Sequence, residues 1–480
     1  KQLFNEAAFN TKVNVSNVRV NRINSKFFAS ERQKYYYCIK LSKMNIEQLY
    51  QVYRKHPVIC TDTRKISHSC LFFALKGDNF NGNEFALQAI ETGAAFAIID
   101  DQKYAVNEHF ILVADVLETL QDLARFHRKM LIIPVIGITG SNGKTTTKEL
   151  IKSVLSQKFR TYATEGNLNN HIGVPLSILS ITNDCEIAII EMGANHQKEI
   201  SFLCEIAQPT HGLITNIGKA HLEGFGGIEG VRIGKGELYQ FISETGGTIF
   251  INADNPVLKE MCTVRGVLNT ESYGFAKDNF ISAALKTSSP YLVIDWMPKS
   301  ESSKDLSYTA ASNLPGIYNF DNIVCAICIG SYFKLSPCQI NSGISSYHPL
   351  NNRSQLLKTE KNIVICDYYN ANPSSMLVAL DNLESVNATS KAMILGDMFE
   401  LGKEAGKEHQ LILDKAIATN FARKIFIGEE FYKLNGSKAA EFFRTVHDAE
   451  QALAENPILA STVLVKGSRG MKLETLLKLL

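Results

Sequence analysis

The stretch VIGITGSNGKTTTKEL, Val135 to Leu150, joins an apolar run to a glycine-rich turn and then to a segment with helical spacing. That junction constrains the chain more than any other feature. A buried strand must pass through a tight turn into a helix whose first N–H groups have no partner and attract anions. Gly140 and Gly143 permit the turn, Lys144 supplies a cation for outer phosphates, and Thr145 supplies a hydroxyl suited to Mg²⁺. The general spelling of a phosphate loop, G-x-x-x-x-G-K-[ST], is nevertheless not met. Its first glycine would fall on Ile138, with Gly137 one residue too early and Gly140 two too late.

The rest of the chain alternates in a way that suits such a loop. Apolar runs at EIAIIEMG, HGLITNIG and GTIFINAD are separated by helix-like segments, and Leu150, Ile151, Val154 and Leu155 fall on one face of the helix after the loop. This pattern predicts a mainly parallel sheet covered on both faces. After Pro349 a second series begins, with NIVICDYY, KAMILGDM, RKIFIGEE and STVLVKGS each ending in polar or glycine residues, the rhythm of a Rossmann-like sheet. Shorter runs between 44 and 130 read as a small α/β unit. The expected fold class is therefore α/β with three domains: a small N-terminal domain at 44–130, a central P-loop parallel-sheet ATPase domain at 131–348, and a C-terminal Rossmann-like domain at 349–480.

With 480 residues the chain is too long for a single core. Lys plus Arg total 50 against 48 acids, a net +2 that argues against a nucleic-acid or membrane partner. The ten cysteines are scattered through apolar runs, which fits a reducing compartment, and Cys325 and Cys328 read as packing residues of a buried helix. No apolar run is long enough to span a bilayer and no signal-peptide core is visible, so a cytoplasmic location is expected. Residues 1–43 lack a sustained period and are expected to be upstream sequence before a start at Met44.

Three further residues follow the loop in an informative order. Glu191 ends an apolar strand, where a carboxylate can meet a metal; His221 follows the next strand; Lys235 sits among small residues at a helix start. The segments GITGSNGKTTTKE, GNLNNHIGVPLSIL, EMGANHQKEI, TNIGKAHLEGFGG, KGEL, DYYNANPSSM, GDMFELG and VLVKGSRGMKLE together resemble the Mur ligases from about Met44 to Leu480. In that family the loop is written G-x-T-G-[ST]-N-G-K-T, which accounts for the unusual spelling. EMGANH and YNANP resemble the branch that adds a dipeptide, and the arginine motif with which a sister enzyme recognises diaminopimelate is absent.

The resemblance implies ATP-dependent addition of D-Ala-D-Ala to UDP-N-acetylmuramoyl-tripeptide (UDP-MurNAc-tripeptide) through an acyl phosphate, in peptidoglycan precursor synthesis by a monomer. Thr139, Gly140, Ser141, Asn142, Gly143, Lys144, Thr145 and Thr146 would hold the ATP phosphates, with Asn319 near adenine, Asp367 near ribose and Arg353, Lys466 and Ser468 as further nucleotide contacts. Two Mg²⁺ sites are implied: one on Thr145 and Glu191, the other on Glu191, His221 and Lys235 carbamylated by CO₂. Lys144, Glu191, His221 and Lys235 form the implied catalytic set. Thr63 and Arg64 would bind the uridine diphosphate; Asn167, Asn169 and Asn170 would contact substrate; Asn370, Ala371, Asn372 and Pro373 would receive the dipeptide. The chain departs from the family pattern at Thr63, Asn81 and Asn83, where Ser, Asp and His are usual, and at Tyr318, where His is common. The competing readings are another Mur or folylpolyglutamate-type amide ligase, and a nucleotide-binding regulatory module without chemistry.

Overall fold

A computed structural model describes residues 44–299, 306–349 and 353–480; the expected start at Met44 concerns residues outside these. The chain divides into two compact units, one built on residues 60–116 and one containing 50–59 and 117–480. In the smaller unit the strands Leu71–Phe73, Phe96–Ile99 and Phe110–Leu112 run parallel in one sheet, because each is a short apolar run flanked by turn residues. Phe72, Ala86, Ala89, Ala97, Ile99 and Phe110 form its core.

The larger unit holds two sheets. The first has nine strands, and its order places Val135–Thr139 between His211–Ile214 and Ile187–Glu191. The chain leaves Val135–Thr139 toward one edge and later returns to its other side. The C-terminal end of that strand is thus a topological switch point, where open α/β sheets leave a crevice. Seven-residue Ile281–Thr287 extends the parallel part, and Val293–Pro298 and Tyr308–Ala311 add an antiparallel edge that the run-and-helix pattern had not included. Trp296 in this edge is buried and donates its indole N–H to Asn341 Oδ1 at 3.0 Å.

The helix Lys144–Leu155 packs its buried Leu150, Ile151, Val154 and Leu155 into the same core as Ile323, Cys325, Ile327 and Cys328 of the helix Phe320–Tyr332. Both cysteines of the close pair are therefore packing residues. Gly343 lets that packing close up, since a Cβ there would lie 2.5 Å from the Val154 Cα.

The second sheet has six strands, with Ile363–Asp367, Thr462–Lys466, Lys391–Gly396 and Arg423–Ile427 parallel, and Gln355–Lys358 antiparallel at one edge. Its inner strands are buried along almost their full length, as expected of a sheet covered on both faces. The α/β class and its parallel sheets are as the sequence predicts. Among the described residues no helix is long and apolar enough to cross a membrane.

Candidate active site

The strand Val135–Thr139 ends where its backbone must turn sharply, and the reason for two glycines is local geometry. Gly140 has φ +145°, and a Cβ there would lie 2.0 Å from Thr215 Oγ1; Gly143 has φ +80° and faces the Asn322 side chain. Ile138, where the usual spelling wants glycine, is instead fully buried and paired with Glu191 and Leu213. The loop is then pinned from the neighbouring strand end. Thr215 Oγ1 donates to Asn142 O at 2.6 Å, Asn142 N donates to Asn216 Oδ1 at 3.0 Å, and Ser141 exchanges hydrogen bonds with Gly218 at 3.0 and 2.9 Å.

Lys144 opens the helix, and its ammonium folds back onto Gly140 O at 2.5 Å and Ser141 O at 3.3 Å. Burial pulls its pKa down to about 8, against the opposing influence of Glu191 and with a further lowering from Arg353. Thr145 Oγ1 and Glu191 Oε2 are buried and lack any hydrogen-bond partner, as is Thr139 Oγ1. Buried polar atoms in native folds almost always have a partner, so these oxygens mark a place prepared for something else. They are hard donors of the kind Mg²⁺ takes. Glu191 Oε1 accepts from Asn169 Nδ2 at 2.9 Å, and its other oxygen lies 3.6 Å from the buried Lys148 ammonium, a partner the sequence reading missed.

His221 lies in the loop after His211–Ile214, in a left-handed conformation with φ +53°. Its Nδ1 lies against a Glu400 carboxylate oxygen, yet without hydrogen-bond geometry. The contact holds the Glu400 carboxyl below its usual range. Lys235 lies buried in the helix Ile228–Thr245, 5.2 Å from the Phe225 ring centroid, and burial lowers its pKa well below the usual lysine value, with Lys144 adding to the effect. No group of three or more His, Cys, Asp or Glu side chains able to hold a metal occurs among the described residues.

A cavity of about 1040 Å³ gathers most of the expected residues. From the nine-stranded sheet it is lined by Ser141 to Lys144, Thr146, Asn167, Asn169, Asn170, Glu191, His221 and Asn319. The six-stranded sheet contributes Arg353, Asp367, Asn370, Ala371, Asn372 and Lys466. Lys235 does not line it. The two groups touch directly where Asn372 Nδ2 donates to Asn142 Oδ1 at 2.8 Å.

Several side chains have work of their own. Asn372 caps the helix Pro373–Ser385, Asn170 Oδ1 accepts from Gly173 N at 2.8 Å, and Asp367 pairs with Lys466 at 2.6 Å. Asn319 Nδ2 donates to Pro315 O at 2.8 Å, and Ser468 Oγ accepts from Phe399 N at 2.9 Å. Tyr318, at the position where His is common, donates to Ser354 Oγ at 2.7 Å. Arg353 lies over the Tyr369 ring at 3.7 Å, and Arg469 lies 5.0 Å from the same ring.

In the smaller unit, Arg64 pairs with Asp62 at 2.8 Å and is mostly exposed, while Thr63 starts the short helical turn that Asp62 caps. Asn83 is fully buried and binds Asp100 through both its oxygen and its nitrogen. Asn81 accepts from Asn83 N at 3.1 Å, so both departures from the family pattern are built into the turn.

A cleft between the strand ends of two parallel sheets, with a phosphate-type loop on one side, defines a nucleotide-dependent two-lobed α/β architecture. The Mur ligase middle domain matches residues 138–330, the Mur ligase, glutamate ligase domain matches 352–469, and the Mur ligase family, catalytic domain matches 57–128. The UDP-N-acetylmuramoyl-tripeptide--D-alanyl-D-alanine ligase of Bacillus subtilis (strain 168) is 36% identical, the alignment covering 88% of this chain and 92% of the relative. The enzyme of the same name from Escherichia coli (strain K12) is 30% identical over 88% and 93%. A crystal structure of MurF from Acinetobacter baumannii superposes with a TM-score of 0.76 at 29% identity, covering 88% of this chain and 92% of that one. The chain belongs to the Mur ligase family.

The Gly140 geometry yields a test. Gly140→Ala is expected to reduce ATP affinity, measured by calorimetric titration, about 10-fold or more, because the loop must move off Thr215 or strain at positive φ. Gly406→Ala, where a Cβ meets nothing within 4 Å, is the control and should leave affinity unchanged. Equal affinities for wild type and Gly140→Ala would contradict the loop assignment.

Proposed function

We propose that this chain ligates D-alanyl-D-alanine to UDP-MurNAc-tripeptide at the expense of ATP, forming the UDP-MurNAc-pentapeptide, ADP and phosphate. The observation that supports this reading most is the single cavity lined by both the Lys144 loop and the Asn370–Asn372 loop. The relatives of this name, aligned over most of both chains, support the choice of substrates. We assign the work to three domains, 44–130, 131–348 and 349–480, in a monomer acting in the cytoplasm on small molecules.

The loop amides from Gly140 to Thr146 and the Lys144 ammonium bind the β- and γ-phosphates. Asn319 and Asp367 receive the adenosine, with Arg353, Lys466 and Ser468 at its edge. Thr63 and Arg64 hold the uridine diphosphate, and Asn167, Asn169 and Asn170 contact the donor. In the first step a tripeptide carboxylate oxygen attacks the γ-phosphorus, the bond to the ADP oxygen breaks, and an acyl phosphate forms. Two anions meet in that step, so the cation of Lys144 is what the chain itself contributes to its barrier. In the second step the neutral dipeptide amine attacks the acyl carbon and phosphate leaves. Asn370, Ala371 and Pro373 shape the dipeptide's place. Asn372 sets the loop that carries them, since its side chain is engaged by Ser375 N and Asn142.

Thr145 and Glu191 fit a Mg²⁺ ion, because both present a buried oxygen without a hydrogen-bond partner, the Glu191 oxygen having only the Lys148 ammonium 3.6 Å away. When bound, Mg²⁺ supplies charge neutralisation on the phosphates. A second site on Glu191 and His221 needs another anion, because among the described residues no three His, Cys, Asp or Glu side chains are grouped to hold a metal, and the Glu400 carboxylate beside His221 is already engaged with it. Lys235 can supply it. Burial favours its neutral amine, which would add CO₂ through nitrogen and lose one proton to give an oxygen-donor carbamate anion.

Mass spectrometry of the product from ATP, D-Ala-D-Ala and UDP-MurNAc-tripeptides carrying lysine or diaminopimelate tests the reaction and names the donor. A nucleotide sugar heavier by the dipeptide less water is expected. Incorporation of single amino acids instead would favour a sister Mur or folylpolyglutamate-type ligase, and ATP hydrolysis without amide would favour a regulatory module. Lys235→Ala is expected to lower kcat about 100-fold or more, the scale seen when a preorganised charged group is removed. Full activity of that variant in bicarbonate-free buffer would rule out the carbamate.

A further inference from the structure

The loop from Asn216 to Glu223 joins the phosphate loop to His221, and the C-terminal lobe grips it at three points. Lys219 N donates to Ser374 Oγ at 2.9 Å, and Gly218 leaves room for that contact, since a Cβ there would lie 2.9 Å from the same oxygen. The Lys219 ammonium reaches Glu408 Oε1 at 2.5 Å. Beyond His221, Glu223 N approaches Glu400 O, while Gly402 packs against the Glu223 side chain.

Glu408 makes this grip more than incidental packing. Its side chain is 3% exposed, its Oε2 has no hydrogen-bond partner, and Lys219 comes from the other sheet's lobe. A buried carboxylate is costly unless paired, and losing its partner is worse than never having had one. The pair therefore favours the docked arrangement of the two lobes. His221 and Glu400 both adopt left-handed backbone conformations where they face each other, with φ +53° and +63°. Such conformations persist only when the surroundings impose them.

We propose that Lys219 and Glu408 are positioning residues: their ion pair holds the His221 loop in its working shape, so that docking of the C-terminal lobe and setting of that loop are one event. The Asn370–Asn372 loop belongs to the same lobe and leads directly into Ser374. An acceptor bound there therefore stabilises the His221 loop through Ser374 and Glu408. This inference rests on the reading that His221 takes part in ligation.

The test is a double-mutant cycle in the full chain with Lys219→Met, Glu408→Gln and both together, plus the exchanged pair Lys219→Glu with Glu408→Lys. Because Lys219→Met leaves the buried Glu408 carboxylate unpaired, thermal unfolding of each variant is measured alongside, and the exchanged pair separates loss of pairing from loss of fold. Each single change is expected to lower kcat about 10-fold, within the range for coupled neighbours, while KM for ATP moves by less than about 3-fold. The double variant should be no worse than the poorer single one, and the exchanged pair should regain activity. Amide hydrogen exchange across residues 216–223 should speed up in the single variants and slow again in the exchanged pair. Unchanged kcat and exchange, or losses that multiply in the double variant, would overturn the proposal. If the native chain forms no amide product, the ligation reading fails, and the exchange measurement still decides on the pairing.

Discussion

Everything in the larger unit hangs on how closely two neighbouring parallel strands end. The carbonyl of Thr139 accepts from Thr215 N at 2.9 Å, and the Thr215 hydroxyl then reaches Asn142 O. That leaves no space for a side chain at residue 140, so glycine is obligatory there. The phosphate loop is consequently not a flexible flap but a segment tied, atom by atom, to the loop that carries His221. Preorganisation of this kind lets fixed dipoles act on a reacting phosphate without first having to reorient.

The same tie explains the charges. Lys144, Lys148, Arg353 and Lys235 bring four cations to the surroundings of Glu191, and burial lowers the pKa of both Lys144 and Lys235. Crowded cations with partly desolvated surroundings are unfavourable alone and favourable around a polyphosphate. The oxygens of Thr145 and Glu191 without hydrogen-bond partners belong to the same logic, because the divalent ion proposed there would satisfy both at once.

Most strands and the phosphate loop were legible in the sequence, because buried parallel strands read as continuous apolar runs and glycines mark forced turns. The cysteines Cys325 and Cys328 were legible for the same reason. What escaped depends on long-range contact. Thr147 donates to Asn322 across 175 residues, and Asn372 meets Asn142 across 230. The roles of Lys148, Glu400 and Glu408 likewise appear only once the two sheets face one cavity. Asn83 shows the converse: a departure from a family pattern turns out to be a fully satisfied buried amide. The antiparallel strands at 293–298 and 308–311 were missed because nothing local says which edge they will join.

In the proposed mechanism the loop presents the γ-phosphate of ATP to a carboxylate, not to water. The direct measurement is oxygen tracing: a donor labelled with ¹⁸O in the tripeptide's terminal carboxylate is turned over, and the released phosphate is weighed. One ¹⁸O atom is expected in each phosphate formed, because the attacking carboxylate oxygen leaves with phosphorus when the amine displaces it. Phosphate carrying no label would contradict it.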